Sequence, residues 1–371
     1  LNMCSSVIGT DVAAGGVAAT PNFIYRVAGG GGGYADGGLA TATTLNSPWG
    51  LRVDSGGNVV VADSNNYTVR VICNSVVGLC SGVSGSDISL GSGTAGTFAN
   101  IYKLAGVQGS GTFFNGDYSG DGISALSARL AVTSLAIDAY DNVFIAVKDG
   151  ANSATGSSSV RRMMTRVICN STSGACGMIN GSDVNAASPS TVASLGYIYR
   201  VMGDYNNALP TEGVSSLVAT LRGPAGAATD TAGNFIVAGG ASNRVNVICT
   251  AAGGLCAHTS SGNVLASGGA AGSANSIYSV AGTGWSVNSG DGTSAMAAGL
   301  YDPTSVATDS FGNVVLNDES GNVVRVVCMA SGGICSNSDG TNIDPFGGAG
   351  ITTGSIYKIA GQWTVAGYAG N

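Results

Sequence analysis

Charge is what this chain has least of. Of its 371 residues 9% are Asp, Glu, Lys or Arg, and it holds two glutamates, Glu212 and Glu319, and one histidine, His258. The 14 Lys and Arg residues form no run that tracks a phosphate backbone, so nucleic acid is not an expected partner. Proline is scarce, at 7 residues, so the 61 glycines do not belong to a collagen. No uninterrupted run of 18 apolar residues occurs, and no membrane insertion is expected. The opening Leu1-Asn2-Met3-Cys4 lacks the basic start and apolar centre of a signal peptide, so the chain reads as mature or incomplete. A Ser-His-Asp triad or a His-bound metal needs partners that His258, two residues after Cys256, does not have around it. The expectation is therefore of a chain that is not an enzyme and carries no cofactor.

What the chain has in abundance is repetition. Ile24-Tyr25, Ile101-Tyr102, Ile198-Tyr199, Ile277-Tyr278 and Ile356-Tyr357 each lead into a short apolar segment closed by glycine. Between them recur Val53-Asp54, Ile137-Asp138, Thr229-Asp230 and Thr308-Asp309, followed by Asn58, Asn142, Asn234 and Asn313 and then a β-branched run such as Val59-Val60-Val61. Four such runs per period, separated by Gly, Asn and Asp turns, predict a four-stranded antiparallel sheet, with strands a, b, c and d, repeated four times. The Asp-x-x-Gly-Asn link between a and b is a hairpin signal, because Gly and Asn tolerate positive φ and the carboxylate accepts backbone N–H groups in the turn. A sheet of this kind does not bury both faces alone, so the units must stack, and radial stacking gives a β-propeller.

These residues resemble the NHL-repeat family. Asp36-Gly37-Gly38-Leu39-Ala40, Leu45-Asn46-Ser47-Pro48-Trp49-Gly50, Val53-Asp54, Gly57-Asn58 and Val61-Ala62-Asp63 follow its blade pattern in order, and the second and fourth units keep Gly120-Asp121-Gly122 and Gly290-Asp291-Gly292. The third unit reads as having lost the acidic glycine loop. The resemblance implies an all-β propeller of four-stranded antiparallel blades: a single propeller over 1–371, with a partial blade at 1–30, blades at 45–107, 130–203, 221–282 and 300–361, and the start of another at 362–371.

The chain departs from that family between strands c and d. There each unit carries an insertion opened by Cys-x6-Cys: Cys73/Cys80, Cys169/Cys176, Cys249/Cys256 and Cys328/Cys335. One spacing repeated four times inside Ser/Gly-rich loops predicts four local disulfides rather than metal sites. Each closes an eight-residue ring. Such a ring removes about 2.5 kcal/mol of unfolded-state freedom, and disulfides imply an oxidising, extracellular or cell-surface setting. Asn66-Tyr67-Thr68, Asn170-Ser171-Thr172 and Asn180-Gly181-Ser182 match glycosylation sequons.

Cys4 is the odd cysteine, aligned with the second member of each pair, and Ile24 heads a d strand with no a, b or c before it. Three accounts of these ends compete: a chain with further blades outside the sequence, a closed ring of four with a spare strand, and completion between copies, with Cys4 bonded across the junction or free. Trp49, Trp285 and Trp363 flank strands a and d and are candidate glycan or partner contacts. Asp117 and Asp121, four apart in a glycine loop, are a weak calcium candidate beside the plainer reading of an acidic turn. The expected function is that of an extracellular structural protein that joins copies of itself head to tail into a filament or sheath. The alternative is a secreted binding module for a glycan or a cell-surface protein.

Overall fold

The computed structural model describes residues 3–109, 121–148, 163–185, 189–203, 212–219, 222–344 and 350–363. Among them there is no α-helix, only strands and short 3-10 turns. The fold is all-β, of the β-propeller class. By their contacts the residues group into two units, Leu1–Gly156 with Arg166–Asp183 and Ser190–Tyr199, and Ser157–Thr165 with Val184–Pro189 and Arg200–Asn371.

Sheet 1 has strands a (Pro48–Val53), b (Val59–Asp63), c (Thr68–Ile72) and d (Ile101–Gly106), paired antiparallel in that order. The same order recurs in sheet 2 (Val132–Ile137, Val143–Lys148, Met163–Ile168, Tyr197–Met202), sheet 3 (Pro224–Thr229, Phe235–Gly239, Arg244–Ile248, Ile277–Ala281) and sheet 4 (Pro303–Thr308, Val314–Asp318, Val323–Cys328, Ser355–Gly361). The insertion between c and d is itself ordered. In sheet 1 it folds into a hairpin, Val83–Ser84 with Asp87–Ile88, whose second strand pairs in parallel with strand d at Lys103. In sheet 3, Thr259–Ser260 and Asn263–Val264 repeat the arrangement against Ser279.

Within each unit two consecutive sheets pack face to face. In the first unit, Val60, Val71 and Leu104 of sheet 1 share a buried cluster with Leu135, Ile145 and Ile198 of sheet 2. In the second unit, Ile236, Val247 and Val280 of sheet 3 do the same with Val306, Leu316 and Ile356 of sheet 4. The innermost strands approach most closely where the repeat places its smallest residues. A Cβ on Gly226 would lie 2.7 Å from Ser305 Cα, and one on Gly50 3.3 Å from Ser134 Cα. Strand a therefore needs glycine or serine here for backbone to pass backbone.

The N-terminal segment repeats the outer part of a sheet. Val7–Ile8 and Asp11–Val12 form the insertion hairpin, and Asp11 bridges Arg26 in parallel as Asp87 does Lys103. Met3, Val27 and Ala28 pack on the sheet 1 cluster of Val61, Ile72 and Ile101. The expected d strand at Ile24 does not form: apart from the Arg26 bridge, residues 23–28 make no ladder, because among the described residues no strand c runs beside them to take their N–H and C=O groups.

Candidate functional site

The four cysteine rings are closed as Cys73–Cys80, Cys169–Cys176, Cys249–Cys256 and Cys328–Cys335, while Cys4 is exposed and unbonded. Each ring is held by the a–b hairpin of its own sheet. Asp54 Oδ1 accepts the N–H groups of Gly56 (3.0 Å) and Asn58 (2.8 Å), and Oδ2 accepts Asn58 Nδ2 (2.9 Å) and the N–H of Leu79 inside the ring (2.8 Å). Asn58 Nδ2 also donates to the Val77 carbonyl (2.7 Å), and its Oδ1 accepts the N–H groups of Asn74 and Ser75, both at 2.9 Å. Asp138/Asn142, Asp230/Asn234 and Asp309/Asn313 form the same clamp. All four asparagines are fully buried. Burial pushes the Asp138 carboxyl above its ordinary value, with the Asn142 bonds opposing. The glycine before the second cysteine pair member completes the fit. Gly78, Gly174 and Gly333 have positive φ, and a Cβ there would lie 2.5 to 2.7 Å from the clamping aspartate. The turn reading thus captures half of the role of these Asp and Asn residues, since their hold on the ring links positions up to 31 residues apart.

The acidic glycine loops are occupied from within. Arg70, wholly buried in strand c, donates from Nε to Asp36 (2.8 Å), from Nη1 to Asp63 (3.1 Å) and the Thr44 carbonyl (3.0 Å), and from Nη2 to the Ala35 carbonyl. The Tyr34 ring lies 4.4 Å from its guanidinium carbon. Burial raises Asp36 and, strongly, the Tyr34 hydroxyl, while Arg70 opposes both shifts. Arg325 repeats this with Asp291 (2.9 Å from Nε) and Asp318 (3.5 Å), and Arg166 pairs with Asp121 at 3.0 Å. Asp318 is pushed up to about 6 by burial, against the Tyr301 N–H and Arg325.

This arrangement bears on two expectations. Asp121 of the calcium candidate is taken by Arg166, while Asp117 lies outside the described residues. Among the described residues no three His, Cys, Asp or Glu side chains come together as a metal site. The third unit has not lost its acid either. Glu212 stands where the others have Asp, as shown by the N–H of Gly213 on the Ile277 carbonyl (2.7 Å), matching Gly37 on Ile101 (2.7 Å). The Arg position holds Asn246, and Glu212 is paired instead with Arg244, two residues earlier.

The tyrosine of each Ile-Tyr pair anchors the insertion. Its hydroxyl accepts the N–H five residues back: Thr20 to Tyr25 (2.9 Å), Thr97 to Tyr102 (3.1 Å), Ser194 to Tyr199 (2.9 Å), Ser273 to Tyr278 (2.8 Å) and Thr352 to Tyr357 (2.7 Å). Trp363 is half-buried on the Arg325 guanidinium, 4.9 Å from its carbon, so it props the loop from within; Trp49 and Trp285 are about three-quarters exposed, at 73% and 75%. Of the sequons, Asn66 donates to Asp63 (2.8 Å) and its Thr68 is fully buried. Asn170 is half-buried in a clamped ring, and Asn180 is exposed at a hairpin turn. His258 is exposed.

Concavities recur where an insertion hairpin meets the following sheet. One, of about 290 Å³, has Ile88, Leu90 and Leu104 on one side and Ser124, Leu126 and Leu195–Tyr197 on the other. Another, of about 480 Å³, has Val264, Leu265 and Val280 facing Thr293, Ser294, Met296 and Thr352–Ser355. The corresponding half in sheet 4, Ile343 and Ile359 with Ile334 and Asn337, bounds about 310 Å³. Each pairs an aliphatic floor with a rim of hydroxyls, a combination that takes an apolar group and orients it by a few hydrogen bonds. No single sequence motif marks these clefts, because each is built from separate segments, in the first up to 113 residues apart in the chain.

Residues 45–72 match the NHL repeat. The match covers one repeat of the chain, across strands a, b and c of sheet 1. No curated protein sequence matches it. Among solved structures it is similar to virginiamycin B lyase from Staphylococcus aureus, at 12% identity and a TM-score of 0.33, covering 76% of this chain and 53% of that one. It is similar also to two proteins from Bacteroides thetaiotaomicron. One is of unknown function (11% identity, TM-score 0.38, covering 92% and 64%), and the other is an auxiliary nutrient binding protein (9%, 0.34, covering 72% and 44%). The chain spans about half the length of the lyase, with 53% covered. At these identities the likeness concerns fold alone. The expectation that the chain is not an enzyme is withdrawn, since the structures it is similar to include a lyase.

Proposed function

We propose that the chain is an extracellular binding module that takes aliphatic side chains of a protein partner into the clefts between consecutive sheets. The recurring cleft carries this reading: an aliphatic floor, a serine and threonine rim and little charge favour an uncharged segment over a phosphate or a polycation. The clamped disulfide rings support it, because rigid insertions hold the walls of a cleft in place before a partner arrives. Four disulfides also support an oxidising compartment.

A library of uncharged extended peptides and an array of glycans, both applied to the purified chain, test the proposal. Aliphatic peptides are expected to bind, and Met296→Arg, which places a charge in the larger cleft, is expected to weaken them about tenfold or more. Binding to glycans alone, or peptide binding unchanged by Met296→Arg and by Leu195→Arg in the smaller cleft, would refute it.

A further inference from the structure

Of the three Asn-x-Ser/Thr sequences, two are locked into the fold and one stands clear of it. Asn66 donates from Nδ2 to Asp63 Oδ2 at 2.8 Å, the oxygen that also receives Arg70 Nη1, and Asp63, Thr68 and Arg70 are all fully buried. Asn170 lies in the ring closed by Cys169 and Cys176, and the backbone N–H groups of Asn170 and Ser171 both donate to the buried Asn142 Oδ1, at 3.1 and 3.0 Å. Drawing the first segment out of the fold takes a donor from a buried carboxylate. Drawing out the second takes both donors from a buried amide oxygen.

Asn180 is placed differently. It ends the two-residue strand Ile179–Asn180 of the sheet 2 insertion hairpin, directly before a turn at Gly181. The hairpin is a repeated object, so this position is built four times. Ile8, Ser84, Asn180 and Ser260 are all exposed, each after a buried residue, Val7, Val83, Ile179 and Thr259. Strand alternation sends the first side chain of each pair inward and the second to solvent. A Cβ added to Gly9, Gly85 or Gly181, whose φ values are +61°, +61° and +62°, would meet no atom of the described residues within 4 Å. The tip of the turn is therefore open. The turn itself does not call for asparagine, because Ile8 and Ser84 hold the same place before a glycine of the same conformation.

From this we infer that Asn180 is an N-glycosylation site, and that the tip of the insertion hairpin is where this fold accepts an oligosaccharide. Ser182, two residues on, supplies the hydroxyl of the acceptor sequence. The donor is an oligosaccharide carried on a polyprenyl diphosphate. A bond forms between Asn180 Nδ2 and the anomeric carbon, the bond from that carbon to the diphosphate oxygen breaks, and one Nδ2 proton passes to solvent as the lipid diphosphate leaves. A glycan here adds hydrated bulk to a chain of which only 9% of residues are charged.

The full 371-residue chain, secreted from a eukaryotic host behind a cleavable leader, tests the assignment. Peptides are mapped before and after treatment with peptide:N-glycosidase, which leaves aspartate in place of each glycosylated asparagine. The expected result for the folded protein is occupancy of Asn180 alone, and loss of the glycan in Asn180→Gln and in Ser182→Ala. Ile8→Asn and Ser84→Asn complete the acceptor sequence before Gly9-Thr10 and Gly85-Ser86, at the same place in two other hairpins, and each is expected to add one glycan. An empty Asn180, a glycan on Asn66 or Asn170 in the folded protein, or no added glycan on either graft overturns the assignment. The cleft reading survives each of these results, because Asn180 lines none of the three clefts described.

Discussion

Sheets 3 and 4 solve one problem in two ways. In sheet 4 the glycine-loop acid Asp291 meets a fully buried Arg325, which also reaches the Ser289 and Gly299 carbonyls and lies under Trp363. In sheet 3 the longer Glu212 meets Arg244 two residues earlier on strand c, and this pair is about one-fifth exposed, at 19% and 20%. The place of Arg325 is taken by Asn246, which donates to Ser279 at 3.3 Å. The blade geometry survives the exchange. It therefore does not depend on a buried guanidinium; what both sheets share is the Asp–Asn clamp and the tyrosine anchor.

The comparison is broken most sharply at the arginines. Arg325→Met strands Asp291 and Asp318 without a cation and is expected to cost about 3–5 kcal/mol in denaturant unfolding. Arg244→Met, whose acid is partly solvated, is expected to cost about 1 kcal/mol or less. Equal losses at the two sites would end the distinction.

The clamp is expected to matter alike in both sheets. Asn234→Ala leaves the N–H groups of Thr250 and Ala251 without their acceptor, and Asn313→Ala does the same to Met329 and Ala330. Each substitution is expected to cost about 2–3 kcal/mol, read from the shift in denaturation midpoint. A loss in one sheet only would contradict the shared role.

Stability is also expected to depend on pH through one of these acids. Asp318 is held at about 6 in the folded chain, against about 3.9 unfolded. Between those values the folded state binds more protons, so the contribution of this group to stability is intact below pH about 4 and is lost as pH rises to about 6. Asp318→Asn is expected to flatten the stability profile over that window. A variant whose profile keeps the wild-type slope there would show that Asp318 does not titrate as described.

Much of the architecture is legible in the sequence because its signals are local. The Asp-x-x-Gly-Asn turns, the Cys-x6-Cys spacing and the Ile-Tyr landmarks each lie within about ten residues and recur with the repeat. What escapes such reading is long-range. The Arg70–Asp36 pair joins residues 34 apart, and nothing near Arg70 distinguishes it from a solvated cation on a strand. The Glu212–Arg244 pair is harder still, because the acid is a glutamate in the aspartate position and its cation sits two residues earlier on strand c than in the other units. The strand expected at Ile24 fails for the opposite reason: its local pattern is intact, but a strand is a property of a pair, and its neighbour is not there.

The insertion hairpins lie against the last strand of sheets 1 and 3, in parallel, and end in two-residue strands. That leaves the rim of these sheets with no long open ladder on which a foreign chain could be templated, so ribbon-like fibrils have little to grow from.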